Sequence, residues 1–172
     1  KEEAAKNGIK VTPIAFIIKA CAIALTHHPK LASSLSADGA SIIYKDYIHI
    51  GMAVDTPAGL VVPVIKDADK KSIYQLSKDI VELDMQGGCF TISSLGNIGG
   101  TGFTPIVNAP EVAILGVSNV AIKPVWNGSD FLPAKMLPLC LSYDHRVING
   151  GDGGRFMAEL NSLLGDVRRL AL

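Results

Sequence analysis

Residues Ile48 to Ile65 read IHIGMAVDTPAGLVVPVI. β-Branched residues dominate both halves. Thr56-Pro57-Ala58-Gly59 between them is a turn sequence, because proline presets one turn dihedral and glycine accepts the left-handed position. The stretch predicts a β-hairpin with strands over Ile48 to Asp55 and Leu60 to Ile65. On either side the hydrophobic period changes. Upstream, Thr12-Pro13 is an N-cap and first-turn pair, and the apolar residues after it predict a largely buried helix to about His28. Downstream, Ser72 and Gln75 form a capping box, and Ile73, Leu76, Ile80 and Leu83 recur at helical spacing. A hairpin set among helices, in place of regular strand-helix alternation, argues for an α+β fold, a two-layer sandwich of mixed β-sheet and helices.

Further along, Phe90 to Ser93, Val112 to Val117 and Leu137 to Tyr143 are short apolar runs bounded by Gly, Pro or Asn, and they predict strands. A last helix is expected from near Asp152. Its Phe156, Met157, Leu160, Leu163, Leu164 and Val167 share one face, and Arg168 and Arg169 lie near its negative end. There are no internal repeats, and 172 residues suffice for one domain with a substantial core.

The 16 Lys+Arg balance the 16 Asp+Glu, so no net field draws the chain to nucleic acid or an anionic membrane. The longest apolar run, Ile14 to Leu25, is broken by Lys19 and is too short to span a bilayer. A hydrophobic content of 48% and a mean hydropathy of +0.32 predict extensive subunit contacts. Cys21, Cys89 and Cys140 lack CxxC spacing, so neither a disulfide framework nor a metal site is expected and a reducing compartment is. The charged, helix-like opening from Lys1 to Lys6, with no initiator Met, reads as a fragment boundary.

Two segments carry chemistry. The first is Ser142-Tyr143-Asp144-His145-Arg146-Val147-Ile148-Asn149-Gly150, a polar cluster at the end of an apolar strand. An imidazole there, with an ordinary pKa near 6.5, suits removal of a proton from a thiol. The structural alternative is a histidine hydrogen-bonded in a strand-to-loop corner, with Asp144 and Arg146 as an ion pair. The second is Thr91-Ile92-Ser93-Ser94-Leu95-Gly96-Asn97-Ile98-Gly99-Gly100, where hydroxyls close a strand and can face a developing oxyanion. The alternative is an ordinary loop with hydroxyl turn bonds. Its glycines match neither the dinucleotide fingerprint nor a phosphate loop. His27 and His28 are expected to cap helix carbonyls and His49 to be a surface or interface residue.

Together these segments resemble the catalytic domain of the dihydrolipoamide acyltransferases, the core components of 2-oxo acid dehydrogenase complexes. The family hallmark, Asp-His-Arg followed after two residues by Asp-Gly or Asn-Gly, stands as Asp144-His145-Arg146-Val147-Ile148-Asn149-Gly150. Gly51 to Pro57, Gly59 to Val64, Phe90 to Ser93 and Asn108 to Gly116 follow the family in order, and the resemblance covers nearly the whole of 1–172. These segments look most like bacterial pyruvate dehydrogenase acetyltransferases. Succinyl-transferring relatives typically carry Thr-Asn-Gly-Gly where this chain has Ser93 to Gly96.

The resemblance implies a chloramphenicol acetyltransferase-like fold and a bacterial cytoplasmic enzyme that moves acetyl between dihydrolipoamide and coenzyme A. Both are substrates, and no metal is required. It implies His145 as general base, Ser93 as donor to the tetrahedral oxyanion and Asn149 as an orienting group, with His145 and Ser93 supplied by neighbouring chains of a trimer. Trimers are expected to join through the apolar tip Leu170-Ala171-Leu172 into a cubic cage of about 24 chains, in preference to one of about 60. Expected partners are lipoyl domains and, through other domains, the pyruvate dehydrogenase and dihydrolipoamide dehydrogenase components. The alternatives are a succinyl- or branched-chain acyltransferase, or a silent core scaffold. Three departures stand out: Asn149 replaces the usual Asp, a basic loop common in relatives is absent between Leu83 and Asp84, and the family's preceding segment is absent before Lys1.

Overall fold

The structure, a computed structural model, describes residues 11–57, 59–80, 86–96 and 98–170. Helix α1 (Pro13–His27) opens it, with Pro13 in the first turn where its missing N–H costs nothing. Thr12 holds the N-cap position but its hydroxyl caps nothing and is buried without a partner, so the expected side-chain cap is not made. A 3₁₀ turn (Pro29–Ala32) leads into a small antiparallel pair, β1 (Ser34–Leu35) with β2 (Ile42–Ile43).

The hairpin forms as expected, with a refinement. Strand β3 (Ile50–Thr56) turns back at Thr56 and Gly59 into β4 (Gly59–Val61), but the return strand breaks at Val62-Pro63 and resumes as β5 (Val64–Ile65) against Ile50 and Gly51. Pro63 has no N–H for the ladder, and its carbonyl instead accepts from Met52 N at 2.8 Å. Helix α2 (Ile73–Asp79) starts at Ser72 with both capping-box bonds present. The expected extension to Leu83 lies partly outside the described residues.

Strands β6 (Phe90–Ser94), β7 (Ala113–Val117) and β10 (Leu139–Tyr143) complete a six-stranded mixed sheet in the order β10-β7-β6-β3-β4, with β5 also on β3. β6 runs parallel to both β3 and β7, and β10 runs antiparallel to β7. Ile50, Met52, Phe90, Ile92, Ala113 and Leu115 face α1 and the last helix, α3 (Gly150–Gly165), and form the core with them. Phe90 meets Phe156 of α3 at 5.7 Å between ring centroids. Gly153 lets α3 lie close on β10, since a methyl there would stand 3.0 Å from the Tyr143 ring.

Alternation places Gly51, Ala53, Thr91, Ser93, Ile114, Gly116, Cys140 and Ser142 on the opposite face. Among the described residues, strands β8 (Ala121–Trp126) and β9 (Phe131–Met136) pair only with each other, as a ribbon that the sequence reading does not predict. Helix α3 begins two residues earlier than expected, because Asn149 caps it. Leu170, expected in a free apolar tip, is 2% exposed and part of the core; Ala171 and Leu172 lie outside the described residues. Leu170 ends a 3₁₀ turn (Val167–Leu170) in which Arg168 bonds Asp166.

Candidate active site

His145 sits on a tight turn locked from several sides. Asp144 N donates to Val112 O at 2.8 Å, and Val147 N and Ile148 N donate back to Asp144 O. Val147 and Ile148 are buried and anchor the turn. Arg146 Nε and Nη2 grip the Asp144 carboxylate at 3.0 and 2.6 Å, and this guanidinium holds that carboxyl below its ordinary value. The ion pair envisaged by the structural reading is therefore present, and it leaves the imidazole between its two members exposed. The His145 ring lies 5.7 Å from that of Tyr143 and has no hydrogen-bond partner among the described residues. Asn149, four residues on, caps α3: its Oδ1 accepts from Asp152 N at 2.8 Å.

Ser93 is half-buried near the end of β6, facing away from the helices beside Ala53 and Gly116. Gly116 has no side chain because Phe103 and Pro105 of the following loop lie on it; a methyl there would stand 3.0 Å from Pro105 Cδ. Ser94 points the other way and its Oγ accepts from Gly96 N at 3.3 Å, closing the strand end.

The structure brings His145 and Asn149 to one corner and leaves Ser93 far from both. Ser93 is level with Gly116, whereas Asp144 is level with Val112, four residues back along β7. That separation is about 13 Å along the sheet before the sideways offset of two strands is added. One chain therefore holds two separated parts of the expected constellation.

The remaining histidines stay outside it. His27 Nδ1 and His28 Nε2 donate to the two oxygens of Glu159 on α3, at 2.6 and 2.9 Å, in place of the expected carbonyl caps. His49 stacks on Tyr47 at 4.1 Å and its Nδ1 accepts from Asp67 N. Cys21 and Cys89 are buried, and burial pushes the Cys89 thiol up to about 11. Sequence reasoning missed one acidic residue near this region, Glu111, which is buried against Thr91.

The fold is that of chloramphenicol acetyltransferase, matched over 95% of this chain and 81% of that one with a TM-score of 0.61 at 15% identity. The chain belongs to the 2-oxoacid dehydrogenases acyltransferase (catalytic domain) family, whose model matches residues 1–172. It is 55% identical, over 99% of its length, to the dihydrolipoyllysine-residue acetyltransferase component of the Haemophilus influenzae pyruvate dehydrogenase complex, and covers 32% of that relative. It spans about a third of the length of the curated relatives it first matches. The solved cubic core of the pyruvate dehydrogenase multienzyme complex superposes with a TM-score of 0.96 at 54% identity, covering 100% of this chain and 76% of that one. The dihydrolipoamide acetyltransferase of Azotobacter vinelandii does so with a TM-score of 0.96 at 53% identity and the same coverage. In the catalytic mechanism of that enzyme the roles of a serine, a histidine 52 positions on and an asparagine four positions further have been investigated.

Proposed function

We propose that this chain is an acetyltransferase catalytic domain of a bacterial, cytoplasmic pyruvate dehydrogenase complex, moving acetyl between the dihydrolipoamide of a lipoyl domain and coenzyme A. The observation that carries the reading is spacing. Ser93 and His145 are 52 positions apart and Asn149 follows four later, the same intervals as the three residues investigated in the Azotobacter vinelandii enzyme.

In this reading His145 takes the proton of the attacking thiol, the sulfur adds to the thioester carbonyl, and Ser93 donates to the oxygen that becomes negative. Collapse of the adduct expels the second thiolate, which recovers the proton from His145. Asn149 keeps the His145 corner in place as the cap of α3. The distance between Ser93 and His145 in one chain supports a site built from two chains of a trimer. Exchange between thiols is nearly isoenergetic, so alignment and exclusion of water supply much of the acceleration.

Trimers then join into a cubic cage. An apolar cleft of about 760 Å³ is lined by Val11, Phe16, Ile73, Leu137, Leu164 and Val167, the last of these in the 3₁₀ turn that ends at Leu170. A self-complementary contact would seat Ala171-Leu172 of each chain in the cleft of a chain from the adjoining trimer. In the proposed complex the pyruvate dehydrogenase and dihydrolipoamide dehydrogenase components are the further partners.

The deciding experiment is formation of acetyl-CoA from acetyl-dihydrolipoamide and coenzyme A by the purified chain. His145→Ala should lower turnover roughly 10²–10⁴-fold while the protein stays folded. Near-normal transfer by folded His145→Ala overturns the reading in favour of a scaffold, and faster transfer of succinyl or branched acyl groups overturns the acetyl assignment.

A further inference from the structure

Glu111 is the only buried acidic side chain among the described residues, with 8% of its surface exposed. Its Oε2 accepts from the buried Thr91 Oγ1 at 2.6 Å. Two glycines make the space: a methyl at Gly88 would stand 2.7 Å from Glu111 Oε1, and one at Gly51 would stand 2.9 Å from Thr91 Oγ1. Val64 closes the slot from β5. A carboxyl is a costly way to fasten strands in such surroundings, since an apolar pair of the same shape avoids the loss of hydration.

Its connections lead to both parts of the site. Thr91 precedes Ser93 by two residues on the same strand and face. Val112, the residue after Glu111, receives the hydrogen bond from Asp144 N that holds the His145 turn. Glu111 and Val112 also line a small cleft of about 250 Å³ together with Asp144 and Arg146.

We propose that Glu111 is a positioning residue for acyl transfer, setting β6 and hence Ser93 through Thr91, and setting the His145 turn through Val112. This rests on the acyltransferase reading above and deepens it. Burial raises the Glu111 carboxyl to about 7 even though the Thr91 hydrogen bond acts the other way. The working form is the neutral acid. The charged and titratable groups around it are Cys89 on the β6 side, with Lys45 acting on that thiol, and Asp144 and Arg146 across the cleft; Gly51 and Val64 stand on the hairpin side with no charge. Once Glu111 ionises, a buried charge held by a single hydroxyl has to be rehydrated. Water entering the slot loosens β6 and the Val112 carbonyl that holds the His145 turn, so turnover falls on the alkaline side.

The test is the pH profile of acetyl transfer. Glu111→Gln keeps the shape and an acceptor for Thr91 but never ionises. It should match the wild type near pH 6 and lose the alkaline fall that the wild type shows above about 7. Glu111→Ala should lower kcat about tenfold or more with both KM values unchanged, and adding Thr91→Val should lower it little further. Wild-type kcat in folded Glu111→Ala, an alkaline limb unchanged in Glu111→Gln, or Glu111→Gln as impaired as Glu111→Ala would each overturn the proposal. His145→Ala is assayed alongside. Should it remain active, the acyltransferase site itself is wrong; should it be inactive while the Glu111 variants behave as wild type, only the positioning role fails.

Discussion

Ser93 and His145 occupy opposite ends of one sheet, and the register of β10 on β7 and β7 on β6 keeps them there. If each active site takes one residue from each of two chains, two inactive variants can repair one another. Ser93→Ala and His145→Ala chains, assembled together in equal amounts, should regain activity in about one site in four, where an intact Ser93 meets an intact His145. Acetyl transfer by the co-assembled protein, compared with the two variants assembled separately, decides it. A mixture as inactive as its parents would place the site within one chain.

Ser93→Ala should lower kcat about 10²–10³-fold with little effect on either KM, because in the proposed mechanism its hydrogen bond strengthens as the oxyanion forms. Ser94→Ala should do far less, since Ser94 faces the other way and its hydroxyl closes the Gly96 turn. Steady-state kinetics of the two variants check the assignment, and a reversed order would shift the oxyanion donor by one residue.

The cap at Asn149 separates positioning from charge. Asn149→Ala should cost about 1 kcal/mol of stability by freeing the first turn of α3, and lower kcat as the His145 corner loosens. Asn149→Asp retains a capping oxygen and adds favourable charge at the helix start, so its melting temperature should equal or exceed that of the parent. An unchanged melting temperature in Asn149→Ala would remove the cap from the account.

Two carboxyls make stability depend on pH with opposite sign. Burial pushes Glu159 up, but the hydrogen bonds and charge from His27 and His28 outweigh it and hold the group below its ordinary value. Its contribution is present above about 4.5 and lost as pH falls through the depressed value, so Glu159→Gln should cost about 0.5–1 kcal/mol near neutrality and nothing in strong acid. Glu111 behaves the other way. Its raised value means that the folded chain keeps a proton the unfolded chain releases, so stability is full below about 4.5 and falls until about pH 7. Glu111→Gln should flatten that fall in denaturant titrations across the window.

Deleting Ala171 and Leu172 should turn a cage into trimers that still transfer acetyl, as light scattering with an activity assay can show. Deleting Leu170 too removes a buried core side chain, and should also cost about 2–5 kcal/mol of stability.

What was legible in the sequence was local. The capping box at Ser72, the turn at Thr56 to Gly59 and the polar corner around His145 each depend on neighbours a few residues away. The ribbon escaped because Pro124 and Pro133 interrupt its strands, although Asn127-Gly128 between Val125-Trp126 and Phe131-Leu132 was a readable hairpin signal. The parallel pairing of β6 between β3 and β7 joins segments far apart in the chain, and no local pattern announces it. Glu111 stands in a polar-looking loop, Asn108 to Glu111. Its burial is decided by Gly51 and Gly88, which leave the slot that its carboxyl fills. The burial of Leu170 is hidden for a similar reason, since a place in the apolar tail Leu170-Ala171-Leu172 says nothing about which chain receives the side chain.

The β8 and β9 ribbon also bears on how the protein endures dilution. A two-stranded ribbon is marginal by itself in water. This one exposes Ile122, Trp126, Phe131 and Leu132, and the Trp126 and Phe131 rings pack on each other. In the proposed trimer a neighbouring chain that covered it would supply the missing burial, so the resistance of the folded state to heat would become a property of the population. The melting temperature should climb as protein concentration is raised, and newly made chains should be most prone to aggregation before their neighbours arrive.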